Sequence, residues 1–437
     1  MAAVSRLVQM LKELGRVTDE PGRLTRTFLS PGMKRANALV GGWMKQAGLK
    51  VRMDAVGNLI GRLEASVGSP LAGASRARAS VLAHKTLLLG SHLDTVRDAG
   101  KYDGPLGVLL PIVALAELKR RGVKLPFTVE VIGFAEEEGV RFTKAYLGSK
   151  GYCGKLTETD LSLRDADGVS VAEAIGRWNG LSPSRSKRLG VKALHLKPAH
   201  RRGDLLGYVE VHIEQGPVLE KAGLAVGVVS AIAGQSRFKL TWTGHAGHAG
   251  TTPMHLRRDA FAAAAEFAAG VEAIARRTRG LVATIGAVQV EPGATNVIPG
   301  RVTHTLEVRH ADDRVRRAAL MQIGRLATRI ARKRGVARAW RRTQENGAVA
   351  CSPRLTAALE RSVKAVQGRS LSLVSGAGHD GVVMSSLCPV AMLFVRCRAG
   401  LSHHPDEYAS PQDLGVALEV MVDFLRKLSA DFADKRG

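Results

Sequence analysis

Apolar positions divide this chain into elements before any chemistry is considered. Thr86 to Leu89 is an apolar run of strand length, and Phe127 to Phe134 (FTVEVIGF) is rich in β-branched and aromatic residues, so both read as buried strands. Between them, Leu109, Ile112, Val113 and Ala116 fall at helical spacing, with Pro111 tolerable only near the helix start. A strand, a polar loop, a helix and a second buried strand make a βαβ unit. Upstream, residues 1–48 read as mainly helical, with breaks at Pro21-Gly22 and before Pro31, and Val51 to Leu63 reads as a strand pair.

Farther along, Tyr208, Glu210 and His212 alternate with Val209, Val211 and Ile213, a strand that places His212 on its polar face near its end. From Val226 the period of two continues through FKLTWTG. A Gly- and His-rich loop (GHAGHAGTTPM), an Ala-rich helix from Arg257 to Arg277, strands from Leu281 to Val290 and Val302 to Arg309, and a helix from Asp312 to Lys333 follow. That β-α-β-β-α-β order predicts a small ferredoxin-like α+β domain, residues 227–343, inserted into a larger α/β domain formed by residues 1–226 and 344–437. The chain returns to the larger domain with a helix from Ser352 to Gln367, the loop SGAGHDG, the strand PVAMLFV and the loop LSHHPDE.

Composition narrows the class. A chain of 437 residues exceeds one ordinary core, and 45% hydrophobic content with mean hydropathy near zero describes a globular protein. Lys and Arg number 64 against 39 Asp and Glu, a net charge of +25 carried mostly by scattered Arg, with runs at Arg185 to Arg202 and Arg332 to Arg342. Aromatics are only 4% and no basic stripe carries stacking residues, so the charge points to a small anionic substrate and away from nucleic acid. Glu64 to Lys85 reads as a polar, basic surface loop without evident chemistry. Cys153, Cys351, Cys388 and Cys397 show no C-x-x-C spacing and read as reduced thiols of a cytoplasmic protein. The N-terminal helix has interleaved charge, unlike a signal peptide, and no run is long enough to cross a bilayer.

The chemistry concentrates in two polar loops, each behind a predicted strand: GSHLDTVRDAGKYDGPLG from Gly90, and FAEEEG from Phe134. They carry His92, Asp94, Asp103, Glu137 and Glu138. Imidazole and carboxylates are the ligand set that holds two divalent cations while leaving a position for water. Three acids directly behind an apolar strand are costly unless cations neutralise them. His212, followed by Glu214, Gln215 and Gly216, is a further ligand candidate, and His403 or His404 would be the last.

GSHLDTV, KYDGPLG, FAEEEGVRF, HIEQGPVLE, GHAGTTPM, TNVIPG, VRH, SGAGHDG and LSHHPDE, in this order over nearly the whole chain, resemble the hydantoinase/carbamoylase-type amidases. That family includes N-carbamoyl-L-amino acid hydrolases, β-ureidopropionases and allantoate amidohydrolases, and is related to aminoacylase-like metallopeptidases. The resemblance implies a mixed-sheet, metallopeptidase-like catalytic domain in which His92 and His212 bind one metal, Asp103 bridges, and Glu138 and His403 bind the second. It implies Glu137 as general base, and Asp94 as the carboxylate that orients His92. The run of three glutamates permits a shift by one residue, and His404 competes with His403. The resemblance further implies that Arg309 grips a substrate carboxylate, that Asn296, Gln235 and the backbone near Gly378 hold polar groups, and that His248 reaches the attacked carbonyl, often across a dimer. The expected cofactor is a pair of Zn2+ or Mn2+ ions, with Co2+ or Ni2+ also suited to these ligands. The expected reaction is hydrolysis of a ureido acid, with the small domain forming a homodimer. An N-acyl-amino acid deacylase or aminopeptidase of the same metal-site type, and an inactive metal-free binding protein, are the alternatives.

Overall fold

A computed structural model describes residues 2–66, 82, 84–186 and 198–433. Most of the loop expected from Glu64 to Lys85 and most of the basic run from Arg185 to Arg202 lie outside them. The chain divides into two compact units, Met1–Ser230 with Cys351–Gly437, and Ala231–Ala350. The expected limits of the inserted domain, 227 and 343, cut through two strands, Val226–Ile232 and Ala337–Asn346. The first division, after Ser230, also falls inside Val226–Ile232, and the second, after Ala350, falls beyond Ala337–Asn346.

The larger unit is built on a nine-stranded mixed sheet. Four neighbouring strands at its centre, Thr128–Phe134, Thr86–His92, Leu205–Ile213 and Val390–Val395, run parallel. All are buried along their full length, as a parallel sheet covered on both faces requires. Antiparallel strands extend the sheet on both sides: Leu59–Leu63 pairs with Thr128–Phe134, and Val226–Ile232 pairs with Val390–Val395.

The helix Pro105–Arg120 buries 13 of its 16 residues, Pro111 among them. The proline stands at the seventh position and not near the start, so packing around the whole helix overrides the local cost of the missing N–H. With Ala2–Leu14, Pro31–Gln46, Pro353–Gln367 and the final helix Pro411–Ala433 it covers the sheet with a single core that includes Leu11, Val40, Leu109, Leu359 and Leu425. Sequence periodicity had assigned no element to that last helix.

The smaller unit has a five-stranded antiparallel sheet and two helices, Ala260–Arg277 and Asp313–Arg334, capped by Asp259 and Asp312. Its main strands lie in the order Val288–Glu291, Arg301–His310, Gly234–Thr243, Ala337–Asn346. Trp242, Phe267, Leu306 and Ile323 fill its core. The single strand expected from Leu281 to Val290 is two short pieces, Val282–Thr284 and Val288–Glu291, both beside Arg301–His310.

Candidate metal centre

Parallel pairing brings the carboxyl ends of the four central strands to one edge, where open α/β sheets bind ligands. His92 is the last residue of its strand and pairs with Phe134, so the Glu136 to Glu138 run emerges beside it. His212 pairs with Phe394, near the end of the strand that leads toward Ser402 and His403. Asp103 lies between His92 and the Pro105–Arg120 helix. Gly104, with φ 79°, makes this approach possible, because a Cβ there would come within 2.4 Å of the His92 ring.

Asp103 is the centre of the cluster. Its Oδ1 faces the Nε2 atoms of His92 and His212 at 3.4 and 3.1 Å, and its Oδ2 faces Nε2 of His403 at 3.3 Å. Glu138 Oε1 lies 3.6 Å from the same His403 nitrogen. Three overlapping groups of potential ligand atoms result, each spanning under 4.8 Å: His92, Asp103 and His212; His92, Glu137 and Glu138; and Asp103, Glu138 and His403.

The donor chemistry fits divalent cations. The Nδ1 atoms of His92 and His212 lie 3.0 and 2.9 Å from the carbonyls of Asp94 and Ile213, which places their protons on Nδ1 and leaves each Nε2 lone pair facing Asp103. His212 Nε2 is buried without a hydrogen-bond partner, the state of an atom built to coordinate. Burial pushes the Glu137 carboxyl well above the usual range, and burial followed by the Asp103 charge pushes Glu138 up to about 7. A divalent cation would reverse that direction.

Both ambiguities in the sequence have a geometric answer. Glu136 is fully buried but accepts from the Gly139 N–H and joins none of the three groups, so the pair facing the cluster is Glu137 and Glu138. His404 Nδ1 instead accepts from the Asp406 N–H at 3.2 Å, whereas His403, in a left-handed conformation with φ 56°, turns its ring to Asp103.

Asp94 faces His92 twice. Its Oδ1 lies 3.4 Å from His92 Nδ1 and its backbone carbonyl 3.0 Å from the same nitrogen, while the carboxylate also accepts from the Glu137 N–H at 3.0 and 3.1 Å and from the Glu138 N–H at 3.1 Å. One buried carboxylate thus stands against the imidazole, as expected, and also fixes the acidic turn, because its two oxygens can accept from several donors. Glu214 is likewise a cap, accepting from the Val218 and Leu219 N–H groups.

Gln215 belongs to the centre and was not singled out by sequence. Its Nε2 donates to Asp103 Oδ2 at 2.7 Å, and its buried Oε1 has no partner. The one signal available was its place three residues after His212. His379 also packs here, its ring centroid 4.5 Å from that of His212, with Nε2 2.7 Å from Ser375 Oγ. Gly378, in the same loop, lies against the Tyr146 hydroxyl.

The other expected substrate residues belong to the smaller unit and form two pairs. Gln235 and Arg309 are register partners on adjacent strands. Arg309 Nε donates to Glu307. His248 lies in a two-stranded ribbon opposite Val297, and the Ala249 N–H donates to the Asn296 carbonyl at 2.9 Å, so His248 and Asn296 are neighbours.

Imidazoles and carboxylates gathered at the carboxyl edge of an α/β sheet, able to hold cations, define a metal-dependent hydrolase. The chain belongs to the peptidase M20/M25/M40 family, whose model matches residues 88–427. It is 42% identical to the N-carbamoyl-L-amino acid amidohydrolase of Geobacillus stearothermophilus, over 95% of this chain and 96% of that protein. It is 40% identical to the allantoate deiminase of Arabidopsis thaliana, over 96% of this chain and 81% of that one. Among solved structures, a hydantoinase/carbamoylase family amidase from Burkholderia multivorans is similar, with a TM-score of 0.85 and 30% identity over 99% of this chain and 98% of that chain. Among the described residues, no helix is long and apolar enough to cross a membrane.

Proposed function

We propose that this protein is a di-metal amidohydrolase that cleaves the ureido C–N bond of a small carboxylate-bearing substrate, such as allantoate or an N-carbamoyl-L-amino acid. The observation that carries the reading is the division of Asp103, with one oxygen toward His92 and His212 and the other toward His403. His92, His212 and Asp103 would hold one cation, and Asp103, Glu138 and His403 the other. Such a pair, Zn2+ or Mn2+ with Co2+ or Ni2+ as substitutes, supplies a lowered water pKa and a polarised carbonyl.

Glu137 is buried, faces the His92 group and is not needed to complete either triad, which suits it to take a proton from the attacking water. As the ureido C–N bond breaks, Glu137 returns that proton to the leaving nitrogen. The carbamic fragment then gives ammonia and carbon dioxide. Arg309 supplies the planar guanidinium for the substrate carboxylate, Gln235, Asn296 and the backbone at Gly378 hold its polar groups, and His248 steadies the developing negative charge.

We take the smaller unit as a ferredoxin-like domain through which two copies associate. Two helices and an antiparallel sheet with Gly234–Thr243 between Arg301–His310 and Ala337–Asn346 support the first part of that reading. A cytoplasmic setting suits the four cysteines, all free and buried.

The test is ammonia release by protein loaded with Mn2+ or Zn2+ from allantoate, N-carbamoyl-L-amino acids and N-carbamoyl-β-alanine, with free amino acid release followed from N-acetyl-amino acids, which yield acetate and no ammonia. Release from allantoate alone, or from carbamoyl amino acids, assigns the substrate. Turnover confined to the N-acetyl compounds would overturn the ureido reading in favour of a deacylase.

A further inference from the structure

The LSHHPDE segment contains an acid to which no role has been given. Glu407 is 2% exposed and lies in the turn after His403, with its N–H donating to the His404 carbonyl at 3.0 Å. Its Oε1 accepts from the backbone N–H groups of both Tyr102 and Asp103, at 2.8 and 3.0 Å, across more than 300 residues of sequence. Its Oε2 lies 3.1 Å from Ser402 Oγ. That hydroxyl is also within hydrogen-bond distance of Asp103 Oδ2, which receives the Gln215 amide at 2.7 Å. Ser402 has one proton for two carboxylates, so it bridges the acid that follows His403 to the acid at the centre of the cluster.

The backbone makes room for this arrangement. A Cβ at Gly100 would lie 2.3 Å from the Glu407 Cβ, so the loop before Asp103 can approach the 402–407 turn only with glycine there. These two segments belong to the parts of the larger unit that precede and follow the inserted residues 231–350. Glu407 ties them at the cluster together with Ser402, and its two oxygens serve different tasks. One fixes the main chain of Asp103, and the other fixes the residue next to His403.

We propose that Glu407 is the positioning residue that sets Asp103 and His403 at coordinating separation, and thereby governs affinity for the second cation, the one between Asp103, Glu138 and His403. Asp103 is shared by both cations, but Ser402, which Glu407 also holds, adjoins only His403 among the three imidazoles, so the second cation is affected more than the first. The proposal rests on the di-metal reading above, and metal uptake tests it independently of any substrate.

The experiment is a Co2+ titration of metal-stripped full-length protein, followed by visible absorption and by bound metal after dialysis. Wild type takes up two ions in two steps. Glu407→Ala keeps the first step and weakens the second by about 10- to 100-fold, the usual range when an outer partner of a metal ligand is lost. Glu407→Gln retains an oxygen for both N–H groups and restores the second step to within roughly threefold of wild type by the same reasoning.

Wild-type affinity and spectrum for both steps in Glu407→Ala would overturn the proposal, as would equal weakening of both steps in a variant with unchanged circular dichroism. If Glu407→Ala does not fold, Glu407→Asp draws the carboxylate back from the Tyr102 and Asp103 N–H groups, and an unchanged second step there would overturn it equally. Two bound ions without ammonia release from any ureido acid would defeat the substrate reading and leave this one standing. Fewer than two ions in wild type would defeat both.

Discussion

The two units hold most of their candidate residues differently, with half-exposed His403 in the larger and buried Gln235 in the smaller as the exceptions. In the larger one, His92, Asp103, His212, Glu137 and Asp94 are buried, and each has a main-chain or side-chain contact that fixes it before any ligand arrives. In the smaller one, His248 and Asn296 are exposed on a two-stranded ribbon, and Arg309 is half-buried beside Glu307 on an open sheet. Charge divides similarly: residues 231–350 carry 20 Lys and Arg against 8 Asp and Glu, so the acids gathered around Asp103 belong to the other unit. Bond-making chemistry needs ligands placed to a fraction of an ångström, whereas gripping a carboxylate tolerates adjustable side chains. On the proposed reading, the first task falls to the larger unit and the second to the smaller.

Metal removal gives the largest effect expected from that contrast. Chelation should abolish turnover, with recovery on adding Mn2+ or Zn2+. Asp103→Ala should lose both ions and His403→Ala only one, because the Asp103 oxygens face different imidazoles. Bound metal per chain by elemental analysis checks both, and two ions in Asp103→Ala would break the bridging reading.

Next comes Glu137→Gln, which should retain both ions and lower kcat by about 10²- to 10⁴-fold, the range for a lost general base. Near-normal turnover would shift the proton-transfer role elsewhere. A smaller loss is expected in the other unit: Arg309→Lys should lower kcat/KM for a ureido acid by about 1.5–3 kcal/mol, roughly 10- to 100-fold, the worth of a hydrogen bond to a charged group. The discriminating measurement is the matching ureido amide, which lacks the carboxylate. An equal loss on it would mean that Arg309 acts through its Glu307 pair and not on substrate.

The same division governs what could be read from sequence. The metal cluster was legible because fully buried parallel strands are continuous apolar runs, and several acids placed directly behind them are costly unless something neutralises them. The five expected ligands do converge, His92 and His212 from strand ends and Asp103, Glu138 and His403 from the loops beyond them. What sequence left open or missed depends on tertiary contact. The choice among Glu136, Glu137 and Glu138 is decided by which carboxyl the Gly139 N–H draws away. Gln215 is one amide in a turn until folding carries it to Asp103. Ala337–Asn346 read as part of a basic run because an edge strand keeps most side chains in water, and arginines there also discourage pairing with other chains.

The smallest expected effect concerns acid stability and bears on both units. In the smaller unit, Trp242 Nε1 donates to His304 Nε2 at 2.9 Å inside the core, so His304 must be neutral to accept. Burial lowers its pKa below the usual imidazole value. A group depressed in the folded state contributes stability that is present above its unfolded value, near 6.5, and is lost as pH falls through the folded one. In the larger unit, Glu130 accepts from Tyr152, His200 and Arg62. Burial opposes its ionisation, but His200 and Arg62 hold its carboxyl down at about 2. Its contribution therefore persists to far lower pH, present above about 4.5 and lost as pH falls through about 2. Thermal melts between pH 7 and 5 should show the smaller unit losing stability, as should the larger unit through His379, which burial holds well below the usual imidazole value. Trp242→Phe should remove about 1 kcal/mol, one buried hydrogen bond, at pH 7 and flatten that pH dependence, because His304 would then accept nothing in its neutral form. An unchanged slope in the variant would mean that the acid sensitivity of the smaller unit arises from groups other than this pair.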